Sequence, residues 1–201
     1  MREAIKAALH GLAIVAVMPS VLSWWLRARL MGPDRALEGS TQAWALVPGL
    51  TGQYLRRAFL SRVLQSCART ATIEFGTLFS SASSSIGERA YIGPRCHLGW
   101  AVIGDDALLA AGVHVPSGAN THGIDDLTTV IRDQPGRKVP VRIGSGSWIG
   151  SAAIVMADVG RDSVIAAGAV VTQPIPDLTI AGGVPARVLR HRDPRIEARS
   201  A

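Results

Sequence analysis

Cysteine is scarce in this chain: Cys67 and Cys96 are the two thiols among 201 residues. Two thiols build no disulfide framework, so a small stapled scaffold is excluded and a reducing, cytosolic setting is expected. Aromatic residues are also few, 5% against 48% hydrophobic residues in all, so aliphatic and small side chains must fill the core. No nucleic-acid-binding module is recognisable, and basic and aromatic residues do not interleave in the repeat region. The formal charge of +6 therefore points to an anionic membrane face or a phosphorylated ligand rather than to nucleic acid. No small-residue cleavage site follows the apolar N-terminal run, and Glu3 stands among its leading charges, which argues against a signal peptide.

The N-terminal run itself, "ALHGLAIVAVMPSVLSWWL" (8–26), is about as long as a membrane span. Basic residues flank it on both sides, Arg2 and Lys6 before, Arg27, Arg29 and Arg35 after, so both ends favour the cytoplasmic side. Pro19 and Ser20 interrupt its middle. Lipid contact through residues 8–26 is expected, as a re-entrant or peripheral element at the inner face of the membrane with Trp24 and Trp25 at headgroup depth. The competing reading is a buried helix over the end of the fold or an oligomer interface. "TGQYLRRAFLSRVLQSC" (51–67) reads as an amphipathic helix, capped by Thr51, with Leu55, Phe59 and Val63 on one face and Arg56, Arg57 and Arg62 elsewhere. It is expected to cover the open end of a repeat stack, with arginines that also face an anionic membrane as the second reading.

Glycine, at 21 residues, is plentiful, and its placement is periodic. Aliphatic residues return every sixth position or so: Ile86, Ile92, Leu98, then Ile103, Leu109, Val115, and after a gap Ile143, Ile149, Val155, Val159, Ile165, Val171. The next residue is usually glycine (Gly87, Gly93, Gly99, Gly104, Gly144, Gly150, Gly160), read as permitting a bend. A second small or β-branched residue follows (Ala90, Cys96, Ala107, Val113, Ser147, Ala153, Ala169). This is neither a helical period nor a strand alternation. Each unit is a very short strand and a bend, three units close a triangular turn, and the turns stack in parallel. Cys96 falls on an inward position and is expected to fill core. His97 and His114 fall outward, where structure or solvent is the expected role.

The ordered set is specific: repeats, a long loop with a histidine ("SGANTHGIDD"), then "GSWIGSAAIVMADVGRDSVIAAGAVVTQPIPD" and "AGGVPARVLR". Over roughly residues 70 to 190 the chain resembles the hexapeptide-repeat acyltransferases, in the branch of galactoside, maltose, serine and polysaccharide O-acetyltransferases. The resemblance implies an all-β solenoid, a left-handed parallel β-helix, here with an N-terminal helical segment; the left hand comes from the resemblance alone. It also implies a homotrimer with sites between neighbouring β-helices, and acetyl-CoA as donor. The expected division is a helical, membrane-associating and capping segment at 1–68, the β-helix at 69–190 with a catalytic loop at about 120–140, and a basic tail at 191–201.

Transfer of an acetyl group to an alcohol needs a base for the hydroxyl, donors for the oxyanion and alignment of both substrates. His122, on a long loop leaving a rigid frame, matches the family's general base. Asn120, Asp125 and Asp126 are the acceptor-side candidates, the aspartates also as orienters of the ring. By resemblance the pantetheine arm runs beside Gly150, Ser151, Ala167 and Gly168, whose backbone amides are expected to face it. Trp148 lies near the cleft, and Thr172, Arg187 and Arg190 approach the nucleotide end. His97, His114 and His122 do not match the ligand spacing of the metal-binding relatives of this fold, so no metal is expected. The favoured reading is an O-acetyltransferase for a sugar hydroxyl of a surface polysaccharide or its lipid-linked precursor. The alternatives are a small soluble acceptor (serine, a free sugar or an antibiotic) and a non-catalytic trimeric scaffold at the membrane.

Overall fold

The computed structural model describes residues 2–193, with side chains from residue 7 onward. The expected basic tail lies outside the described residues from 194 on, as do the side chains of Arg2, Glu3 and Lys6.

A stack of about six coils carries three parallel sheets. The first sheet contains β1 (Ser66–Cys67), β4 (Ser85–Ile86), β7 (Ala101–Ile103) and β10 (Val141–Ile143), and single bridges continue it through Val159 and Ile175. The second contains β2 (Thr72–Ile73), β5 (Tyr91–Ile92), β8 (Leu108–Leu109), β11 (Trp148–Ile149), β13 (Val164–Ile165) and β15 (Thr179–Gly183), closed by the antiparallel β16 (Ala186–His191). The third contains β3 (Leu78–Phe79), β6 (His97–Leu98), β9 (His114–Val115), β12 (Ile154–Val155) and β14 (Val170–Val171). The fold is the expected left-handed parallel β-helix with an N-terminal helical segment.

The period of six dictates this shape because each unit presents one aliphatic side chain inward. Ile92, Leu109, Ile149 and Ile165 stack in register and are fully buried, as are Leu98, Val115, Val155 and Val171 on the next sheet. Each such side chain stabilises the fold by about 1.5–3 kcal/mol. The second inward positions, Ala90, Cys96, Ala107, Val113, Ser147, Ala153 and Ala169, are buried as well. Cys96 is core, and burial pushes its thiol up to about 11. Ser147 survives in the interior because its hydroxyl donates to Gly160 O (2.6 Å) and accepts from Ser163 N (3.0 Å), while Ser163 repeats the arrangement one coil on.

The glycines after the aliphatic residues act differently from the expected bend. A Cβ on Gly150 would sit 2.5 Å from Ala167 N, and one on Gly93 2.7 Å from Ala110 C. These positions are small because the next coil's backbone lies directly on them. The left-handed backbone comes two residues later and is occupied by Arg89, Arg95, Asp106, Ala152, Asp162 and Leu178 as well as by glycines.

Three helices cover the N-terminal end: α1 (Arg2–Met31), α2 (Pro33–Ala45) and α3 (Gly49–Val63). α1 runs unbroken through Pro19, which overturns the expected re-entrant hairpin. Proline removes one hydrogen bond and crowds the preceding turn. Here packing on both sides of Pro19 holds the helix: Ala13 and Val17 bury against the rest of the core, and beyond the proline Arg27 donates to Ala36 O (3.1 Å) and Ser40 Oγ (2.7 Å) of α2. α3 begins two residues before Thr51 with no side-chain cap and stops at Val63, so Ser66–Cys67 is already strand. α3 lies on β1 and β2 and α2 on β3, closing the first coil.

Arg56, expected off the apolar face of α3, is the largest fully buried side chain among the described residues. Its Nε donates to Ile73 O (2.9 Å) and its Nη1 to Trp44 O (3.2 Å) and Val47 O (2.6 Å). One guanidinium thus joins α3, the C-terminal carbonyls around the end of α2 and the first coil. Burial pushes its pKa down, and Glu74 opposes that shift.

Candidate functional site

The outer face of the third sheet carries, at register positions, Leu78, His97, His114, Ile154 and Val170. His97 and His114 are partners on adjacent coils, so their rings must stack: the centroids are 5.0 Å apart with 4° between planes. They form one wall of a cavity of about 470 Å³. Asp34, Arg35 and Glu38 of α2 form the opposite wall, and Thr121 and Lys138 of the long loop close one side. α2 is seated there by Asp34, whose Oδ1 accepts from Ala82 N (2.9 Å), and by Thr41, whose hydroxyl donates to Phe79 O (3.2 Å).

Burial, and then the neighbouring His97, lowers the His114 pKa from 6.5. The folded protein therefore resists protonation of this ring. Stability from the neutral stack is present above pH 6.5 and is lost as pH falls below it toward the depressed value; His10, also lowered, acts with the same sign. Melting temperature is expected to drop between pH 7.5 and 5, and to drop less in His114→Asn; an identical drop in both would refute the assignment.

The loop from 116 to 140 is organised from within. Val139 N donates to Ser117 O (3.0 Å) and Arg137 N to Asn120 O (2.7 Å), so its two limbs run together. Buried Gln134 donates to Asp126 O (2.6 Å) and Thr129 O (2.8 Å) and accepts from Asp126 N (3.2 Å). Asp126 accepts from Thr129 Oγ1 (2.6 Å), Thr128 Oγ1 (2.7 Å) and Thr128 N (2.8 Å), which hold its carboxyl down to about 2. Its carboxylate braces the loop. His122 follows the cleft-lining Thr121 and is exposed, as are Asn120 and Asp125.

The donor-side candidates divide between two edges of the third sheet. Gly150 and Ser151 precede β12, Ala167 and Gly168 precede β14, and the four stack at one corner. Gly168 N donates to Ser151 O (2.8 Å) and Gly150 N to Ile165 O (2.8 Å). The amides of Gly150 and Gly168 are therefore used by the coil ladder, contrary to expectation. What this corner presents is a surface without side-chain bulk. Arg187, exposed on β16, pairs with Gly182 beside the end of the same column, and Arg190 pairs with Ile180. Trp148, 52% exposed, stands on the second sheet in the ladder of Tyr91 and Leu108. Thr172 and the His122 loop lie at the opposite edge, after β14 and β9.

Sequence reasoning did not find the α2 wall, because nothing in the repeat rhythm says which helix face meets which sheet. Gln134, too, carries no periodic signal. The histidine stack had a readable signal: His97 and His114 each precede an inward residue at equivalent places in successive coils. Among the described residues, no group of three or more histidine, cysteine or acidic side chains converges as a metal site would require.

Comparison with known proteins gives a consistent picture. Residues 84–116 and 140–173 match the hexapeptide repeat of succinyl-transferase. A Mycobacterium tuberculosis protein named as a probable acetyltransferase is 41% identical over 101 residues, 49% of this chain and 33% of that protein. Galactoside O-acetyltransferase of Escherichia coli is 45% identical over 58 residues, 28% of this chain and 29% of its own length. The chain thus spans about a third of the length of the curated relatives it matches. Among solved structures, a maltose O-acetyltransferase from Clostridium difficile 630 superimposes with a TM-score of 0.67 at 23% identity, covering 80% of this chain and 88% of that one. A galactoside acetyltransferase in complex with coenzyme A gives 0.63 at 23% identity, covering 82% and 83%. The repeat, the coil geometry and these relatives agree: the chain carries the hexapeptide repeat and shares the β-helix fold of these acetyltransferases, which it resembles over its repeat region.

Proposed function

We propose that this protein is an O-acetyltransferase that moves an acetyl group from acetyl-CoA to a sugar hydroxyl, with His122 as general base. The observation that carries this reading is the cavity of about 470 Å³ on the third sheet, with the His122 loop at its edge. Its walls offer Asp34, Glu38, His97 and Lys138, a mixture of donors and acceptors suited to a polyhydroxyl ligand.

The neutral imidazole of His122 takes the acceptor's hydroxyl proton as that oxygen attacks the thioester carbonyl. The C–O bond forms, the C–S bond breaks, and the proton returns to the departing thiolate. Transfer is direct: burial holds Cys96 at about 11 and Cys67 at about 12, so neither thiol supplies a nucleophile. The smooth corner at Ser151 and Ala167 accommodates a thin pantetheine arm, with Trp148 beside it and Arg187 and Arg190 placed for phosphates. In one chain this corner and the His122 loop lie at opposite edges of the third sheet. Each site is therefore completed by a neighbouring copy, in a homotrimer, with Thr172 brought to the donor from its own edge. Asn120 and Asp125 reach the acceptor from the loop.

α1 supports a membrane-borne acceptor. Residues 8–26 contact lipid at the cytoplasmic face, and Asp34 of the cleft wall follows three residues after Met31, where the apolar helix ends. The acceptor is then a surface polysaccharide or its lipid-linked precursor. A free sugar is the second reading, favoured by the galactoside and maltose enzymes among the relatives. Labelled acetyl-CoA offered with membrane glycolipid extract, galactosides, maltose and serine separates them. Label is expected in the glycolipid fraction; transfer to free sugars alone would favour the second reading, and transfer to none would refute both.

A further inference from the structure

α1 buries one narrow stripe, Ala13 and Val17 with half-buried His10, Ile14, Val21 and Trp24, and leaves the rest of its girth in the open. From Ala7 to Leu26 the exposed flank carries no charge; Leu12, Val15, Met18, Leu22, Trp25 and Leu26 are each 45–70% exposed. So long a continuous apolar face needs a cover. Beside it, a groove of about 400 Å³ runs between α1 and α3, lined by Leu9, Ala16, Leu50 and Leu55 among others.

The surroundings specify the cover by charge. Burial, and then the positive charges of Arg57, Arg69 and Arg62, lowers the His10 pKa, so these arginines stand near this end of the flank. Arg57 also lies 4.8 Å from the Tyr54 ring centroid, and Tyr54 lines the groove. At the far end Arg29 lies 3.9 Å from the ring centroid of exposed Trp25, and exposed Arg35 follows. Basic residues therefore sit beside both ends of one uncharged flank. A helix spanning the bilayer would not keep this arrangement. α1 packs along α3 with its first half and along α2 with its second, so insertion would carry Arg27, Arg56, Arg57 and the first coil toward hydrocarbon.

We propose that α1 lies in the plane of an anionic bilayer, its open flank among the acyl chains and the α1–α3 groove taking one chain, with the phosphate headgroups held by Arg57, Arg62 and Arg69 at one end and Arg29 and Arg35 at the other. The inference rests on the lipid contact proposed above and names its orientation and lipid class.

Flotation of the full chain with vesicles tests it. Phosphatidylcholine vesicles containing phosphatidylglycerol are expected to bind at least ten times more protein than pure phosphatidylcholine. The double variant Arg62→Gln/Arg69→Gln is expected to lose about thirty-fold on the anionic vesicles and nothing on the neutral ones. Leu12→Glu/Val15→Glu is expected to abolish both. Spin labels at Val15→Cys and Leu26→Cys, which the high-pKa native thiols leave to react selectively, are expected at equal depth. A difference near 16 Å, the axial rise of about 1.5 Å per residue over that interval, would mean a spanning helix and overturn the orientation. Equal binding to both vesicle types would overturn the anionic site and leave the lipid contact standing. No binding to any vesicle, with Leu12→Glu/Val15→Glu changing the oligomer size, would overturn both and assign the flank to a second copy of the chain.

Discussion

His122→Ala is expected to lower acetyl transfer by about 10²–10⁴-fold while leaving the melting temperature unchanged. The side chain is exposed, so its removal leaves no cavity and no unpaired buried group. A base acts on the reacting hydroxyl alone, so kcat should fall and donor KM should hold. His122→Gln keeps polarity without basicity and should be equally inactive. Subunit mixing extends the test. Ala167→Trp, at an exposed position, is expected to block the smooth corner without disturbing the coil. If each site joins the loop of one copy to the corner of another, co-refolded His122→Ala and Ala167→Trp chains regain activity that neither has alone. Transfer by His122→Ala at the parent rate would exclude the loop from catalysis, and mixtures as dead as their components would place each site within one chain.

Arg56→Ala is expected to be the most destabilising single change in the helical cap, by about 3–5 kcal/mol. It leaves the carbonyls of Val47 and Ile73 without the guanidinium donor in a buried setting, strips Trp44 O to its backbone donor, and opens a void where the side chain lay. For a chain of this size the melting temperature should fall by roughly 10 °C. Arg56→Lys should recover only part, because an ammonium cannot span three carbonyls as the planar fork does. α2 forms one wall of the cavity proposed for the acceptor, so on that assignment partial loosening should raise acceptor KM before it lowers kcat. A melting temperature within 2 °C of the parent, or thereabouts, would show that the cap does not depend on this residue.

The coils were legible because one rule, an aliphatic residue inward in every unit of six, governs them: Ile92, Leu109, Ile149 and Ile165 lie in register as their spacing implies. The helical end was not, since its decisive contacts are tertiary. Pro19 signals a break in any local reading, yet α1, packed on α2 and α3, continues through it. Arg56 looks like a surface charge until three carbonyls from distant positions are seen around it. The rhythm marks the glycines but not the reason for them, because the approach of the following coil is invisible along a single strand. In the candidate site, His122 was marked by interrupting the rhythm, but the cavity beside it needed the docking of α2, which no periodicity encodes.

β10 aligns with β7 residue for residue, Val141 with Ala101 and Ile143 with Ile103, although 25 residues, 116–140, intervene between β9 and β10. The frame closes across the gap as if nothing had been inserted. Such a seam uncouples the loop's length and composition from the cost of folding the coils, and its closure penalty grows only with the logarithm of its length. Under the proposed site assignment, acceptor preference is then free to drift within this segment, by substitution, insertion or wholesale exchange, while the proposed donor corner on the opposite edge keeps its coil geometry.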